Sequence, residues 1–284
     1  MDEKQELSIK EKCKKAQKLF DYKLDCNKPI IVHIDGKNFS KMIKNKFEKP
    51  FDKEFIDMMN NTAKFICQNV QGVKLAYTQS DEITLIITKS SPDSEIFFGG
   101  RLCKLQSVIA ALATSEFNRY FIRHQVFYKD EEDDWGNYGI ADLDQELLDM
   151  KMTQFDCKAW NVDTIYDAVL WLLFRNIDCV RNSKQQAAQT YISPKKLTNL
   201  STDEQIAKLL EEKNIDWNQY PDNMKYGRFI KKAVATVNGA NGQPVKRRVW
   251  NVCDGKDLTI SENRLELIDY IVNIDKELEK EIQN

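Results

Sequence analysis

The chain has 284 residues, 42% hydrophobic and 30% charged, with a formal net charge of −2, which suits one large domain or a domain with a substantial appendage. It has no run of about 18 apolar residues to serve as a membrane span, and its Lys/Glu-rich start does not read as a signal peptide. Seven scattered Cys without a C-x-x-C pair, and only His33 and His124, argue against disulfides, a zinc site or a Ser-His-Asp triad and for reduced thiols in a cytoplasmic protein.

In chain order, residues 1–24 are charged, and Ile9, Ala16, Leu19 and Phe20 are spaced for an N-terminal helix. Pro29-Ile30-Ile31-Val32-His33-Ile34-Asp35 reads as an apolar strand closed by an acid, and Gly36 permits a sharp turn after it. The loop 36–50 carries Lys37, Lys41, Lys44, Lys46 and Lys49 against one acid, Glu48. Such a run is either a solvated loop or a phosphate contact. Residues 52–69 predict a helix capped by Asp52, with Phe55, Met58, Met59, Phe65 and Ile66 on a core face.

Gly72–Thr78 and Ile83–Thr88 predict two strands of a hairpin whose tip is Gln79-Ser80-Asp81-Glu82. Ser91-Pro92-Asp93 breaks the chain, and a long helix is expected over 101–122. Its first turn holds Arg101 and Lys104, cations that oppose the helix dipole; they are tolerated surface charges or are held for an anion. Residues 129–151 read as an acidic, irregular insertion with a short helix. Met152–Asn161 predicts a strand, 164–182 a helix capped by Asp163, and Ser201-x-x-Glu204 a capping box opening a helix to Lys213. Strands at 226–237 and 245–253 flank the loop 238–242, and 261–282 predicts an acidic helix. Asn223 to Cys253 has no acid but holds Lys225, Arg228, Lys231, Lys232, Lys246, Arg247 and Arg248. That segment is either a phosphate-gripping patch or an ordinary charged hairpin.

Strand, helix, strand, strand, helix, strand is the α+β, ferredoxin-like order. It puts Asp35 and the 79–82 turn on neighbouring central strands. Two carboxylates on adjacent strands, with water and phosphate completing the shell, suit magnesium. Phosphoryl transfer there needs positioning and charge neutralisation more than a reactive side chain. Strand parity conflicts with this in one respect: simple alternation turns Asp81 inward and Glu82 toward the open side. Asp81 serves as a ligand only if the turn breaks the alternation.

His33-Ile34-Asp35-Gly36-Lys37-Asn38-Phe39, Phe47-Glu48-Lys49-Pro50, Tyr77-Thr78-Gln79-Ser80-Asp81-Glu82, Phe155-Asp156-Cys157-Lys158, Arg175–Ser183 and Lys225-Tyr226-Gly227 occur in the order of one family. Over roughly residues 10–255 the chain resembles the tRNA-histidine guanylyltransferase-like enzymes, the 3′–5′ polymerases. The resemblance implies a polymerase palm over 1–160, and a tRNA-contacting region over 161–284 with helices and a β-hairpin. It implies two Mg2+ ions on Asp35, Asp81 and the Gly36 carbonyl, with Glu82 supporting them. It assigns nucleotide contacts to Lys37, Asn38, Phe39, Ser40, Lys49, Ser80, Arg101 and Lys104. RNA contacts fall to Lys158, Arg181, Asn182, Ser183 and Lys225, with Lys246, Arg247 and Arg248 from the basic segment. ATP and GTP or other nucleoside triphosphates would be substrates, tRNA the partner and a homotetramer the assembly.

Three departures bear on the substrate. Ser40 stands where the family usually has His, Lys158 where it usually has Arg, and His33 where Arg is common. Arg181-Asn182-Ser183 resembles the "like-protein" branch associated with template-dependent repair of truncated tRNA 5′ ends. Addition of the extra guanosine to tRNA-histidine, a palm-fold nucleotide cyclase and a silent RNA-binding protein are the other readings.

Overall fold

The computed structural model describes residues 8–37, 39, 46–127, 151–238 and 242–283. The elements are α1 (Ile9–Lys18), β1 (Ile30–Gly36), α2 (Lys53–Asn69), β2 (Val73–Gln79), β3 (Glu82–Ile87) and α3 (Leu102–Phe127). There follow β4 (Phe155–Asn161), α4 (Ile165–Tyr191), α5 (Pro194–Leu197), α6 (Thr202–Lys213), α7 (Asp222–Lys225), β5 (Arg228–Asn238), β6 (Pro244–Asp254) and α8 (Ser261–Gln283). The six strands form one antiparallel sheet in the order β4-β1-β3-β2-β5-β6. The first four make the ferredoxin-like palm, and the β5–β6 hairpin extends it from the free edge of β2. The sheet therefore continues across residue 160, where the sequence suggests a division.

Ile30-Ile31-Val32-His33-Ile34 is an almost unbroken apolar run because both faces of the sheet are covered. Ile30, Val32 and Ile34 pack with Met59 and Ile66 of α2 and Ile109 and Phe117 of α3. Ile31 faces the other way, toward Val169 and Leu172 of α4 and Leu267 and Ile271 of α8. Asp52 caps α2 by accepting from Phe55 N at 2.7 Å, and its second oxygen accepts from Glu48 N at 2.8 Å. The cap thus also fixes the loop that leads into the helix.

Three elements depart from expectation. β4 begins at Phe155 rather than Met152. α3 runs to Phe127, and α4, capped by Thr164 rather than Asp163, runs to Tyr191, past the expected end at residue 182. α4 continues because Ala187 and Ala188 are buried in a third cluster with Leu209 and Trp217; tertiary packing overrides weak local propensity. The insertion 129–151 lies outside the described residues, apart from exposed Lys151 at its end. Among the described residues no helix is long and apolar enough to cross a membrane. All seven Cys are free thiols.

α8 docks through a buried ion cluster. Lys74, 2% exposed, holds Asp275, which also takes Lys232 at 3.2 Å. Burial would raise the Asp275 carboxyl, but the hydrogen bonds from Lys74 and Ser90 and the nearby cations outweigh it and hold the group at about 2. A carboxyl held below its ordinary value near 4 contributes stability above pH ~4 and loses it as pH falls toward 2. Lys74 stays charged throughout that window, so its own burial does not alter the sign. Asp275→Asn is expected to cost about 3 kcal/mol at neutral pH and to flatten the stability loss between pH 4 and 2, read by urea melts at each pH. Equal pH slopes in both proteins would contradict this.

Candidate active site

β1 ends on Asp35 and Gly36, and the β2–β3 hairpin turns beside it. Gln79 pairs with Glu82, so Ser80 and Asp81 alone make the turn, and Ser80 takes the left-handed region at φ 46. That turn breaks the strand alternation. It brings the Asp81 carboxylate over Gly36: a Cβ there would stand 2.7 Å from Asp81 Oδ2 and 2.4 Å from the Phe39 ring. Glycine is required at this position by space.

Register supplies the rest. Asp35 lies opposite Glu82 on β3 and opposite Asp156 on β4, so three acids form one row across the sheet. Like charges directly opposed destabilise a sheet. Burial raises the Asp35 carboxyl, and the Glu82 and Asp156 charges raise it further. Burial, more than the nearby Asp35 and Glu82, lifts Asp81 to about 6 against the lowering bond from Ser80.

Two cations temper the row. Arg175 of α4 donates from Nε to Glu82 Oε2 at 2.8 Å and from Nη2 to Oε1 at 2.5 Å, while Nη1 holds Asp178 at 2.8 Å. Gln79 Nε2 donates to Glu82 at 2.8 Å. Glu82 is thereby committed to α4 and supports the site, leaving Asp35 and Asp81 as the carboxylates for a ligand. Lys158, opposite His33 on β4, is the second cation and lowers Asp35.

The donor set fits magnesium. It consists of hard oxygens, two carboxylates and the Gly36 carbonyl, in a place where the folded chain by itself disfavours their negative charge. Among the described residues no three acidic, His or Cys side chains cage a metal by themselves. Magnesium needs only one or two carboxylates and completes its shell with water and phosphate.

A cavity of about 550 Å³ opens from Gly36, Ser80 and Asp81. One wall is the 47–52 loop with Lys49 and Phe51; the facing wall is α4, through Cys179, Asn182, Ser183 and Gln186; Met224 and Arg228 complete it. Its size suits a nucleotide. α4 is fixed there by Asn176, which is fully buried: it donates to the Tyr226 and Lys256 carbonyls at 3.0 and 3.2 Å and accepts from Leu258 N at 3.0 Å.

The other expected site residues divide sharply. Lys49, Ser80, Asn182 and Ser183 line this cavity together. Phe39 also reaches it but is a core residue, 2% exposed and packed against Phe117 and Phe155. Ser183 is buried and accepts from Trp217 Nε1 at 3.2 Å. Lys37 is exposed beside Gly36; Asn38 and Ser40 lie outside the described residues. Arg101 and Lys104 line a separate cavity of about 480 Å³ with Lys18 and Ser107, which shares no lining residue with the first. The structure does not bring them to Asp81. Arg181 is exposed and pairs with Asp178 at 2.9 Å.

The basic segment is largely compensated. Lys225 is turned inward, donating to the Asn218 carbonyl at 3.0 Å and pairing with Asp222 at 3.1 Å. Lys246 donates to the Glu281 carbonyl at 3.0 Å, and Arg248 lies 3.8 Å from Glu279. Arg247 is exposed. The acidic α8 lies against the hairpin, so an acid-free stretch of sequence is not an acid-free surface. His33 is packed rather than open: its Nδ1 shares a 3.1 Å hydrogen bond with Thr84 and its ring meets Trp171 edge-on. Asp156, Arg175 and Arg228 were not among the expected site residues. Strand parity pairs Asp156 with Asp35, and the i, i+4, i+7 spacing of Arg175, Cys179 and Asn182 was the signal for a site-facing stripe.

The fold and the acidic strand ends define a nucleotidyltransferase of the polymerase-palm class. Residues 10–163 match the family described as "Thg1: tRNAHis guanylyltransferase". The chain belongs to that family of tRNA-acting nucleotidyltransferases. It is 29% identical over 249 residues to uncharacterized protein R259 of Acanthamoeba polyphaga mimivirus, covering 84% of this chain and 81% of that protein. It is 25% identical to tRNA(His) guanylyltransferase 1 of Arabidopsis thaliana, over 77% of this chain but only 37% of the plant protein. Among solved structures, a bacterial tRNA(His) guanylyltransferase (Thg1)-like protein in complex with ATP superposes with a TM-score of 0.74 at 28% identity, covering 93% of this chain and 99% of that one. A bacterial Thg1-like protein in complex with GTP gives 0.71 at 26% identity, with the same coverage.

Two outcomes are expected. Gly36→Ala, costing ~1–3 kcal/mol through the forced contacts, should remain folded by circular dichroism yet lose nucleotidyl transfer about a hundredfold, because Asp81 must move; a wild-type rate would contradict the geometry. Arg175→Met leaves Glu82 unpaired beside Asp35 and should change the Mg2+ concentration for half-maximal activity by about tenfold, read from metal titrations.

Proposed function

We propose that this protein is a template-dependent 3′–5′ nucleotidyltransferase that adds nucleotides to the 5′ end of truncated tRNA. The observation that carries this is the cavity that runs from Asp81 and Gly36 to Lys49 on one wall and Asn182 on the other. It is sized for a nucleotide and has the Asp81 carboxylate in its wall, with Asp35 preceding Gly36 just outside the lining. The likeness to bacterial Thg1-like proteins in complex with ATP and GTP supports the same reading, as do Asn182 and Ser183 of the Arg181-Asn182-Ser183 run, which line the cavity.

Asp35, Asp81 and the Gly36 carbonyl would hold two Mg2+ ions, which supply charge neutralisation to phosphoryl transfer. The chain's own residues position and orient. Glu82, fixed by Arg175, keeps the hairpin tip in place over Gly36. Lys49 presents a cation to a triphosphate, and Ser80 Oγ holds Asp81 Oδ1 at 3.0 Å. Two reactions follow one another. A 5′-monophosphate oxygen of the RNA attacks the α-phosphorus of ATP, and pyrophosphate leaves. The 3′-hydroxyl of the incoming nucleotide then attacks the activated 5′-phosphorus, losing its proton as AMP leaves. An RNA already bearing a 5′-triphosphate skips the first reaction.

RNA contact falls to exposed Lys158 and Arg181, with Arg247 on the hairpin. A cytoplasmic location and a homotetramer belong to the same reading. α4 presents Tyr166, Leu170 and Phe174 to solvent at helical spacing, a face suited to contact between copies. The test incubates 5′-truncated tRNAs and full-length tRNA-histidine with Mg2+, ATP and all four nucleotides, then sequences the new ends. Wild type should extend the truncated ends with template-complementary nucleotides, and Asp81→Ala should lose at least a thousandfold in rate, as removal of a metal-holding carboxylate does. A single guanosine added only to tRNA-histidine would replace repair with the maturation reading. No extension of any RNA would overturn both.

A further inference from the structure

Arg228 opens β5 opposite Thr78 and is 4% exposed. Its Nε donates to Asn60 Oδ1 at 3.0 Å, and its Nη1 donates to the Asn223 carbonyl at 3.4 Å. Its Nη2 is buried and has no partner. Among the described residues no carboxylate forms an ion pair with it. A guanidinium remains charged at any working pH, and a buried unpaired charge is expensive unless something neutralises it. Arg228 is also part of the wall of the cavity that holds Asp81, Ser80 and Asn182.

A guanidinium has donors only, so whatever satisfies Nη2 must present an acceptor. A neutral carbonyl would satisfy the hydrogen bond and add nothing to the Asp57 and Asp254 charges that act on the guanidinium without pairing with it; a phosphoryl oxygen satisfies both needs. Asn60 holds Nε from below, so the guanidinium plane is set before any ligand arrives, which favours planar recognition of phosphate over a loose charge contact. We propose that Arg228 is a phosphate-recognition residue of this cavity, its unpartnered Nη2 donating to a phosphoryl oxygen of the nucleotide or of the RNA 5′ end. The inference rests on the nucleotide reading of the cavity given above. Nη2 is closed to solvent in this structure, so a shift of the side chains around it must accompany phosphate binding.

The experiment measures binding to the full chain in Mg2+, with inorganic tripolyphosphate, ATP, GTP and one RNA hairpin in 5′-phosphate and 5′-hydroxyl forms. Arg228→Gln is expected to weaken a phosphate probe about tenfold or more. Arg228→Lys, which keeps the charge and loses the fork, should fall between it and wild type. If ATP and tripolyphosphate weaken while the hairpin's 5′-phosphate preference persists, the phosphate is the nucleotide's. If that preference disappears and ATP binding is unchanged, it is the RNA end's. Unchanged binding of every probe overturns the assignment, and so does a loss confined to GTP, which would indicate base reading. Asp81→Ala is the control: if it weakens ATP and Arg228→Gln weakens no probe, only the arginine's role falls, and if neither variant weakens any probe, the nucleotide reading of the cavity falls with it. Should both arginine variants fail to fold, a crystal structure of the wild type with ATP decides. A phosphoryl oxygen within about 3.2 Å of Nη2 supports the proposal, and Nη2 bonded instead to the carboxamide of Asn223, whose Oδ1 is also without a partner, overturns it.

Discussion

Glu82, Asp35 and Asp156 face one another across three hydrogen-bonded strands. A sheet would not adopt this row for stability, since opposed carboxylates repel and burial raises the carboxyl of Asp35. The row is tolerated because it sits at the strand ends, where the cavity opens, and because the rest of β1 is anchored on both faces. Ile30, Val32 and Ile34 are held by α2 and α3, and Ile31 by α4 and α8. Local electrostatic strain is thus carried by a well-packed sheet at the strand ends.

α4 is the second structural requirement. Asn176 ties it to the carbonyls of Tyr226 and Lys256, and Arg175 ties it to Glu82. Those two neighbouring residues set the rotation of the helix. Cys179, Asn182, Ser183 and Gln186 then face the cavity as a consequence of helical spacing. A helix that ended near residue 182 would lose this wall; burial of Ala187 and Ala188 against Leu209 and Trp217 keeps it intact.

Much of this was legible in the sequence. The apolar run of β1, the hairpin around Ser80-Asp81, the α2 stripe and the Ser201–Glu204 capping box all follow from local spacing and turn chemistry. The strand order β α β β α β was sufficient for the ferredoxin-like palm. The parity conflict at Asp81 was legible too, and the left-handed Ser80 resolves it. Features that depend on long-range pairing were not legible. Nothing local says that β5 joins the edge of β2, or that α8 lies against the hairpin with its Glu281 carbonyl on Lys246 and Glu279 beside Arg248. The acid row appears only once register is known, and the inward turn of Lys225 only once Asn218 and Asp222 are placed around it. Arg228 looked like one more cation in a basic segment; its burial sets it apart.

On the proposed function, Asp35 and Asp81 together bind a divalent cation when a nucleotide is present. Electron paramagnetic resonance of Mn2+ titrated into the protein with GTP measures this directly, apart from any turnover. The account predicts tight Mn2+ binding in the wild type that weakens at least tenfold, as a lost carboxylate ligand should, in both Asp35→Asn and Asp81→Asn. Equal Mn2+ affinity in all three proteins would contradict it.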